Sequence, residues 1–225
     1  MDYQTEEQQV EAFKKWWDEN GTALVVGAIL AIGGVLGWQY WQGYTEKVQL
    51  EASDIYNKII TESVGENNEP KPIEGAGKLF ADYSNTAYAT LISFRLAKEK
   101  VDSNNLAEAE KHLREALRLA EDDNLKHIAR TRLARILNAQ EKADEALALL
   151  KGVEFGPYKS TYELIRGNSY SIKGDKNLAA AAYIKAEASK DDGVPEHPNL
   201  PFRLQESKQP VAEDKPVAEE KNADA

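Results

Sequence analysis

The sequence predicts an all-α protein: a single N-terminal transmembrane helix followed by an α-solenoid of helical repeats. Three observations predict it. The stretch Thr22 to Trp41 (TALVVGAILAIGGVLGWQYW) carries no charged residue. From Thr45 to Lys190 apolar residues recur at helical spacing, with no alternating strand pattern. Within that region a small-residue motif returns after 37 and then 33 residues, the mark of stacked helical repeats.

Residues 1–21 form a short N-terminal segment. It holds six acidic groups (Asp2, Glu6, Glu7, Glu11, Asp18, Glu19) and two basic ones (Lys14, Lys15), a net −4. Val10, Phe13 and Trp17 fall at helical spacing, and Asn20-Gly21 is a helix-stop signal. The segment reads either as a short amphipathic helix on the membrane surface or as a frayed tail with two interfacial tryptophans.

Residues 22–41 are the span. At about 1.5 Å per residue they make a helix of roughly 30 Å, the thickness of a bilayer's hydrocarbon core. Gly27, Gly33, Gly34 and Gly37 would weaken a helix in water but are ordinary in membrane helices, and Trp38, Tyr40 and Trp41 suit a membrane–water interface. A cleaved signal peptide would need a basic leader, a shorter apolar run and a small-x-small site. Here the leader is acidic and the run ends in bulky aromatics, so the span is expected to stay as an anchor. Ala23, Gly27 and Ala31 form one small-xxx-small row, and Gly33 and Gly37 another. Such rows admit a second membrane helix at close range, though glycine is also common in spans without one. Lys14 and Lys15 against Lys47 lean towards an inside N-terminus, but counting Lys58 produces a tie.

Residues 45–192 form the helical repeat domain. Thr45 to Val64 reads as one helix with Val48, Ala52, Ile55, Tyr56 and Ile59 on one face, followed by a turn-rich loop at Gly65 to Pro72 and a short helix at Ile73 to Tyr83. Then the repeats begin. Arg95-Leu96-Ala97 recurs as Arg132-Leu133-Ala134. Small residues pair twelve apart as Ala97/Ala109, Ala134/Ala146 and Gly167/Ala179, with Leu113, Leu150 and Tyr183 four residues on and Ala116, Val153 and Ala186 three further. Antiparallel helices approach closely only where small residues meet, and a large residue one turn later fills the groove. No unit buries its apolar face alone, so stacked units share a core. Asn104-Asn105-Leu106-Ala107-Glu108-Ala109 and Lys173-Gly174-Asp175-Lys176-Asn177-Leu178-Ala179 resemble the turn into the second helix of a tetratricopeptide repeat, without that family's Trp and most of its Tyr. The resemblance implies three repeats from Thr90 to about Lys190, with a degenerate fourth pair from Thr45 to Tyr83.

Residues 193–225 are an acidic, Pro-rich tail, expected to be disordered, with Pro195, Pro198, Pro201, Pro210 and Pro216 and seven acidic against four basic groups from Pro195 on. Leu200, Phe202 and Leu204 are candidates to dock on the last repeat.

Composition narrows the function. The 225-residue chain has a net charge of −10 and no cysteine. Acidity argues against nucleic acid and against a polybasic contact with lipid headgroups. Without cysteine there is no disulfide, thiolate nucleophile or thiolate metal site. His112, His127 and His197 lack metal-ligand spacing, and no phosphate loop, dinucleotide fingerprint or nucleophile elbow occurs. No catalytic, cofactor-binding or metal-binding residue is assigned, and the chain reads as non-enzymatic. What remains is surface. In a solenoid the first helices line a concave face that takes peptides. The repeat register places Phe94, Lys98 and Val101 there, then Thr131, Arg135 and Asn138, then Leu164, Asn168 and Ile172. Lys98, Arg135 and Asn168 are equivalent and suited to hold a carboxylate or a peptide backbone; ordinary polar surface is the plainer reading.

An acidic N-terminus, one span and a tetratricopeptide-like domain, with Glu19-Asn20-Gly21, Ala23-Leu24-Val25-Val26-Gly27, Gly37-Trp38-Gln39-Tyr40-Trp41 and Lys173-Gly174-Asp175-Lys176, resemble the YfgM family of Gram-negative bacteria. The resemblance covers residues 1 to about 192 and not the tail. It implies a single-pass inner-membrane protein with a cytoplasmic N-terminus and periplasmic repeats. It further implies an ancillary subunit of the SecYEG translocon, partnered by the membrane-anchored chaperone PpiD, that helps pass exported client chains to periplasmic chaperones. An alternative implied by the same family is negative regulation of an envelope stress response, the Rcs system, by binding a response regulator through residues 1–20.

Overall fold

The computed structural model describes residues 6–65, 69–189, 200 and 203–205, with residues 6 and 7 described by backbone alone. The described residues form α-helices α1 (Glu6–Glu62), α2 (Gly77–Asp82), α3 (Ala87–Asp102), α4 (Leu106–Leu119), α5 (Asp123–Ala139), α6 (Ala143–Leu150), α7 (Lys159–Ile172) and α8 (Lys176–Ala188). A single 3-10 turn, Gly156–Tyr158, precedes α7. The chain divides into two units, Met1–Lys58 and Ile59–Ala225.

The first unit is carried by α1, whose 57 residues make a rod of about 85 Å. It is the one helix among the described residues long and apolar enough to cross a membrane. Within the apolar run the large side chains are uncovered: Leu30 is 70% exposed and Ile29 63%. In water each such side chain would cost about 1.5–3 kcal/mol relative to burial, which hydrocarbon relieves. Aromatic groups mark both ends. Phe13 meets Trp16 in a tilted pair at a centroid distance of 6.2 Å and stacks with Trp17 at 6.3 Å, and Trp38 meets Trp41 at 5.3 Å. Trp17 and Trp38 stand 21 residues apart, roughly 32 Å along a helix, which matches two interfacial belts.

Two boundaries differ from those the sequence suggests. Asn20-Gly21 does not stop the helix, so residues 6–21 run straight into the span instead of forming a separate surface helix. The Asn20 side-chain amide donates to the Trp16 carbonyl at 3.0 Å, and the Trp17 indole covers Gly21, where a Cβ would meet it at 3.0 Å. Nor does a new helix start at Thr45, whose hydroxyl donates back to the carbonyls of Trp41 and Gln42 at 3.1 and 2.9 Å. A continuous helix keeps its backbone bonded internally, which hydrocarbon demands.

In the second unit α2 is shorter than Ile73–Tyr83 because Gly75 takes φ +80°, a left-handed conformation that interrupts a helix. Ile73 N–H instead donates to Glu99 Oε2 at 2.9 Å, pinning the preceding loop to α3.

Helices α3/α4, α5/α6 and α7/α8 are the three repeat pairs. Each pair turns on the same device. Asn104, Glu141 and Gly174 take φ values of +56°, +61° and +80°. The next residue's N–H then donates five residues back: Asn105 to Lys100, Lys142 to Leu137 and Asp175 to Tyr170, at 2.7, 2.8 and 2.9 Å. These are left-handed C-caps, feeding directly into the second helix. The small residues Ala97, Ala109, Ala134, Ala146 and Ala179 are all buried, as are Leu113, Leu150 and Tyr183. Gly167 shows why size matters: a Cβ there would lie 2.3 Å from the Tyr183 ring.

The core runs from Phe94 and Leu113 through Leu133 and Leu137 to Tyr162 and Ile165. A second cluster closes the end, where Leu200, fully buried, joins Ala179, Tyr183 and Ala186, with Leu164, Tyr170 and Leu204 packed around it. Leu200 and Leu204 therefore dock on the last repeat. A terminal repeat needs such a cover because no further unit buries its outer face. Phe202, His197 and, apart from residues 200 and 203–205, the whole of residues 193–225 that the sequence reads as a disordered tail lie outside the described residues.

Candidate protein-binding face

Helices α3, α5 and α7 are the first helices of their pairs. Of the expected groove residues, Phe94 and Thr131 are each only 7% exposed. The Arg132 guanidinium lies over the Phe94 ring, 4.7 Å from its centroid. Thr131 donates back to the His127 and Ile128 carbonyls at 2.9 and 3.1 Å. The equivalent Leu164 packs against the end cluster that contains Leu200. In the first and third repeats this position meets the element that follows, so it closes the stack.

Asn138 also serves that junction. It accepts from the Ser169 hydroxyl at 2.9 Å and donates to the Ile165 carbonyl at 3.4 Å. Asn168 accepts from the Tyr183 hydroxyl at 3.0 Å. Lys98, Val101, Arg135 and Ile172 remain open to solvent. Lys98 is paired one turn along with Asp102.

Charge sets part of this face apart. Several basic groups elsewhere in the repeats meet carboxylates: Lys111 with Glu108, Arg118 with Glu115, Arg166 with Glu163, Lys173 with Asp144. Glu110 gathers three donors, Arg114 at 2.8 Å, Lys142 at 2.8 Å and Gln140 at 3.0 Å. The Lys142 ammonium, then Arg114 and Gln140, hold its carboxyl at a pKa of about 2 against the opposing effect of burial. Arg95, Arg132 and Arg135 have no carboxylate partner among the described residues, although all three are exposed. Crowding by neighbouring atoms, and then the Arg132 charge beside it, lower the Arg135 pKa from its ordinary value. Guanidinium groups suit carboxylates and backbone carbonyls. Arg95 and Arg132 were legible as repeat markers, but nothing local in the sequence revealed that Arg132 reaches across to Phe94.

An aromatic cluster missed in the sequence joins the second and third repeats. His127 Nδ1 is 2.9 Å from the Tyr162 hydroxyl, and its ring stacks on Tyr158 at 4.6 Å. Phe155 stacks on Tyr162 at 4.5 Å, and the Tyr158 hydroxyl donates to Asn124 at 3.1 Å. Burial pushes the His127 pKa down, helped by the Arg130 charge, and pushes the Tyr162 hydroxyl up. The His127 imidazole, sharing a hydrogen bond with the buried Tyr162 phenol, ties α5 to α7. Its spacing of 35 residues puts it beyond any local motif.

In the anchor, Gly27, Gly33 and Gly37 would meet nothing within 4 Å if given a Cβ. Together with Ala23 and Ala31 they leave open strips on the helix. Among the described residues no group of three or more His, Asp or Glu is placed to hold a metal ion.

Comparison with known proteins bears on both units. A family model described as a tetratricopeptide repeat-like domain matches residues 14–208. The chain is 37% identical over 181 residues to the ancillary SecYEG translocon subunit of Escherichia coli (strain K12), covering 80% of this chain and 86% of that protein. It is 31% identical over 184 residues to the protein of the same name from Haemophilus influenzae, covering 82% and 89%. For that of Aggregatibacter actinomycetemcomitans the identity is 32% over 183 residues, covering 81% and 88%. No solved structure matches the chain.

Proposed function

The chain belongs to the tetratricopeptide repeat-like family of ancillary SecYEG translocon subunits, and from that premise we propose that it is a non-enzymatic, membrane-anchored scaffold at the SecYEG translocon. In this reading it helps hand exported proteins to periplasmic chaperones, beside a PpiD-like membrane-anchored partner. The observation that carries the reading is that one family match runs through both the span and the repeats, residues 14–208. A repeat domain without chemistry of its own acts by being held where its partners are. The N-terminus would be cytoplasmic and the repeats periplasmic, at the bacterial inner membrane.

Two surfaces are assigned roles. The small-residue strips Ala23/Gly27/Ala31 and Gly33/Gly37 would take a neighbouring membrane helix. The open residues of the first-helix face, Lys98, Val101, Arg135 and Ile172, would take a partner segment or client chain.

Solubilised membranes run on a blue-native gel test the reading. The chain should co-migrate with SecY; a chain running alone would overturn it. Photo-cross-linkers at Gly33 and Arg135 should then capture different neighbours, a membrane helix from the first and a soluble segment from the second.

A further inference from the structure

We propose that the acidic C-terminal segment Pro210–Lys221 of this same chain binds the arginine face of the first two repeats, Arg95, Arg132 and Arg135, and occupies it until a partner displaces it. The inference rests on the first-helix face being a binding face. It does not depend on the translocon assignment.

The segment is distinctive. Pro210-Val211-Ala212-Glu213-Asp214-Lys215 is followed at once by Pro216-Val217-Ala218-Glu219-Glu220-Lys221, a tandem hexapeptide with two adjacent acids in each copy. It lies beyond the 14–208 stretch that the family model matches. Its only large apolar groups are Val211 and Val217, which leaves recognition to the acid pairs.

The face is complementary in sign and in number. Arg132 and Arg135 are three residues apart on α5, and Arg95 and Lys98 hold the equivalent positions on α3. Each of these repeats thus presents one basic pair on one side of a helix, and each hexapeptide presents one acidic pair. Arg132 is already held over Phe94 at 4.7 Å, so part of the ordering cost of binding is met before the ligand arrives. Lys98 is shared with Asp102 on an exposed surface, a contact that exchanges readily.

The tether makes weak pairs sufficient. Leu200 and Leu204 fix the chain against Leu164, Tyr170 and Tyr183 of the last repeat. From Gln205 to Glu219 an extended chain reaches roughly 45 Å. Stepping from α8 across α7 to α5 takes two interhelical distances of about 8–10 Å each. A ligand attached this close has an effective concentration in the millimolar range, enough for exposed ion pairs that would not hold a free peptide.

The chain has no cysteine, so single pairs can be introduced without background. The full-length chain in detergent would carry Ala139→Cys, one turn beyond Arg135, with Ala218→Cys. A control would carry Ala181→Cys, exposed on α8, with Ala218→Cys. Under mild oxidant at low protein concentration, the 139–218 pair should form an intramolecular disulfide about tenfold more than the 181–218 pair. Changing Glu213, Asp214, Glu219 and Glu220 to their amides leaves every described helix untouched and should lower that yield about tenfold, as should R132E/R135E. Excess PVAEDKPVAEEK peptide should compete. Equal yields at both positions, a yield indifferent to the amide substitutions, or disulfides formed only between chains would each overturn the proposal. Co-migration with SecY is read separately, so failure here is distinct from failure of the translocon assignment.

Discussion

In the repeats, Gly167 lies under the Tyr183 ring, where a Cβ would come within 2.3 Å of Cε1 and 2.4 Å of Cδ1. In the anchor, Gly27, Gly33, Gly34 and Gly37 lie in the open, with nothing within 4 Å of the same added atom. One residue type thus answers two different demands. At Gly167 the missing side chain is replaced by a ring from the chain's own next helix, so the constraint is packing. In the span no atom of the chain uses the vacated volume, and the glycines are free to serve contacts from outside or none. Glycine spacing alone does not separate these cases; the neighbouring element does.

The sharpest way to break that contrast is to add one methyl group at Gly167. Tyr183 is 1% exposed and its hydroxyl is bonded to Asn168, so the ring cannot swing aside cheaply. Gly167→Ala should cost about 3 kcal/mol despite the better helix propensity of alanine. For a unit of this size that is a fall of roughly 10 °C in the melting temperature of the repeats, read by circular dichroism. Adding Tyr183→Ala should cost much less than the sum of the two single changes, because each relieves the other's clash or cavity. Full additivity would mean that the close approach is not what fixes glycine here.

A smaller effect is expected at Glu110, where repeat one is stitched to the turn of repeat two through Lys142 and Gln140. The carboxyl is 13% exposed and its folded pKa of about 2 lies below the ordinary 4.5. A depressed carboxylate stabilises the fold fully above its unfolded pKa and loses that contribution as pH falls towards the folded value. Glu110→Gln should therefore destabilise by on the order of 2 kcal/mol at neutral pH. The gap between the parent and the variant should shrink as pH drops from about 4.5 to 2. A gap constant with pH would mean that the carboxylate's charge is not what holds the junction.

Much of this fold is legible in the sequence, for a physical reason. Close helix crossings admit only small residues, so the Ala97/Ala109, Ala134/Ala146 and Gly167/Ala179 pairs had to recur, and their large partners with them. The uncharged run from Thr22 to Trp41 is equally unambiguous, since twenty such residues are not left in water. What the sequence concealed depends on partners remote along the chain. Phe94 and Leu164 were placed on the open face because periodicity fixes register within a pair. It does not say which side the next element covers. His127 and Tyr162, Glu110 and Lys142, and Arg132 and Phe94 are all joined across more than thirty residues. Asn20-Gly21 misled in the opposite sense: a local stop signal was overridden by a helix that keeps its backbone bonded through the span.

The gentlest test of the contrast lies in the anchor. Gly33→Leu with Gly37→Leu fills one open strip without touching any neighbour in the chain. The melting temperature of the repeats should not move, within about 0.5 kcal/mol of stability, as expected for a substitution remote from their core. If the strip serves a neighbouring membrane helix, co-migration with the translocon should nevertheless fall, because two leucines hold the backbones apart. Gly27→Leu on the other strip provides the matching control for which side is used. Loss of repeat stability would show that these glycines are packed within the chain after all. Unchanged stability with unchanged co-migration in both variants would assign them to the bilayer alone.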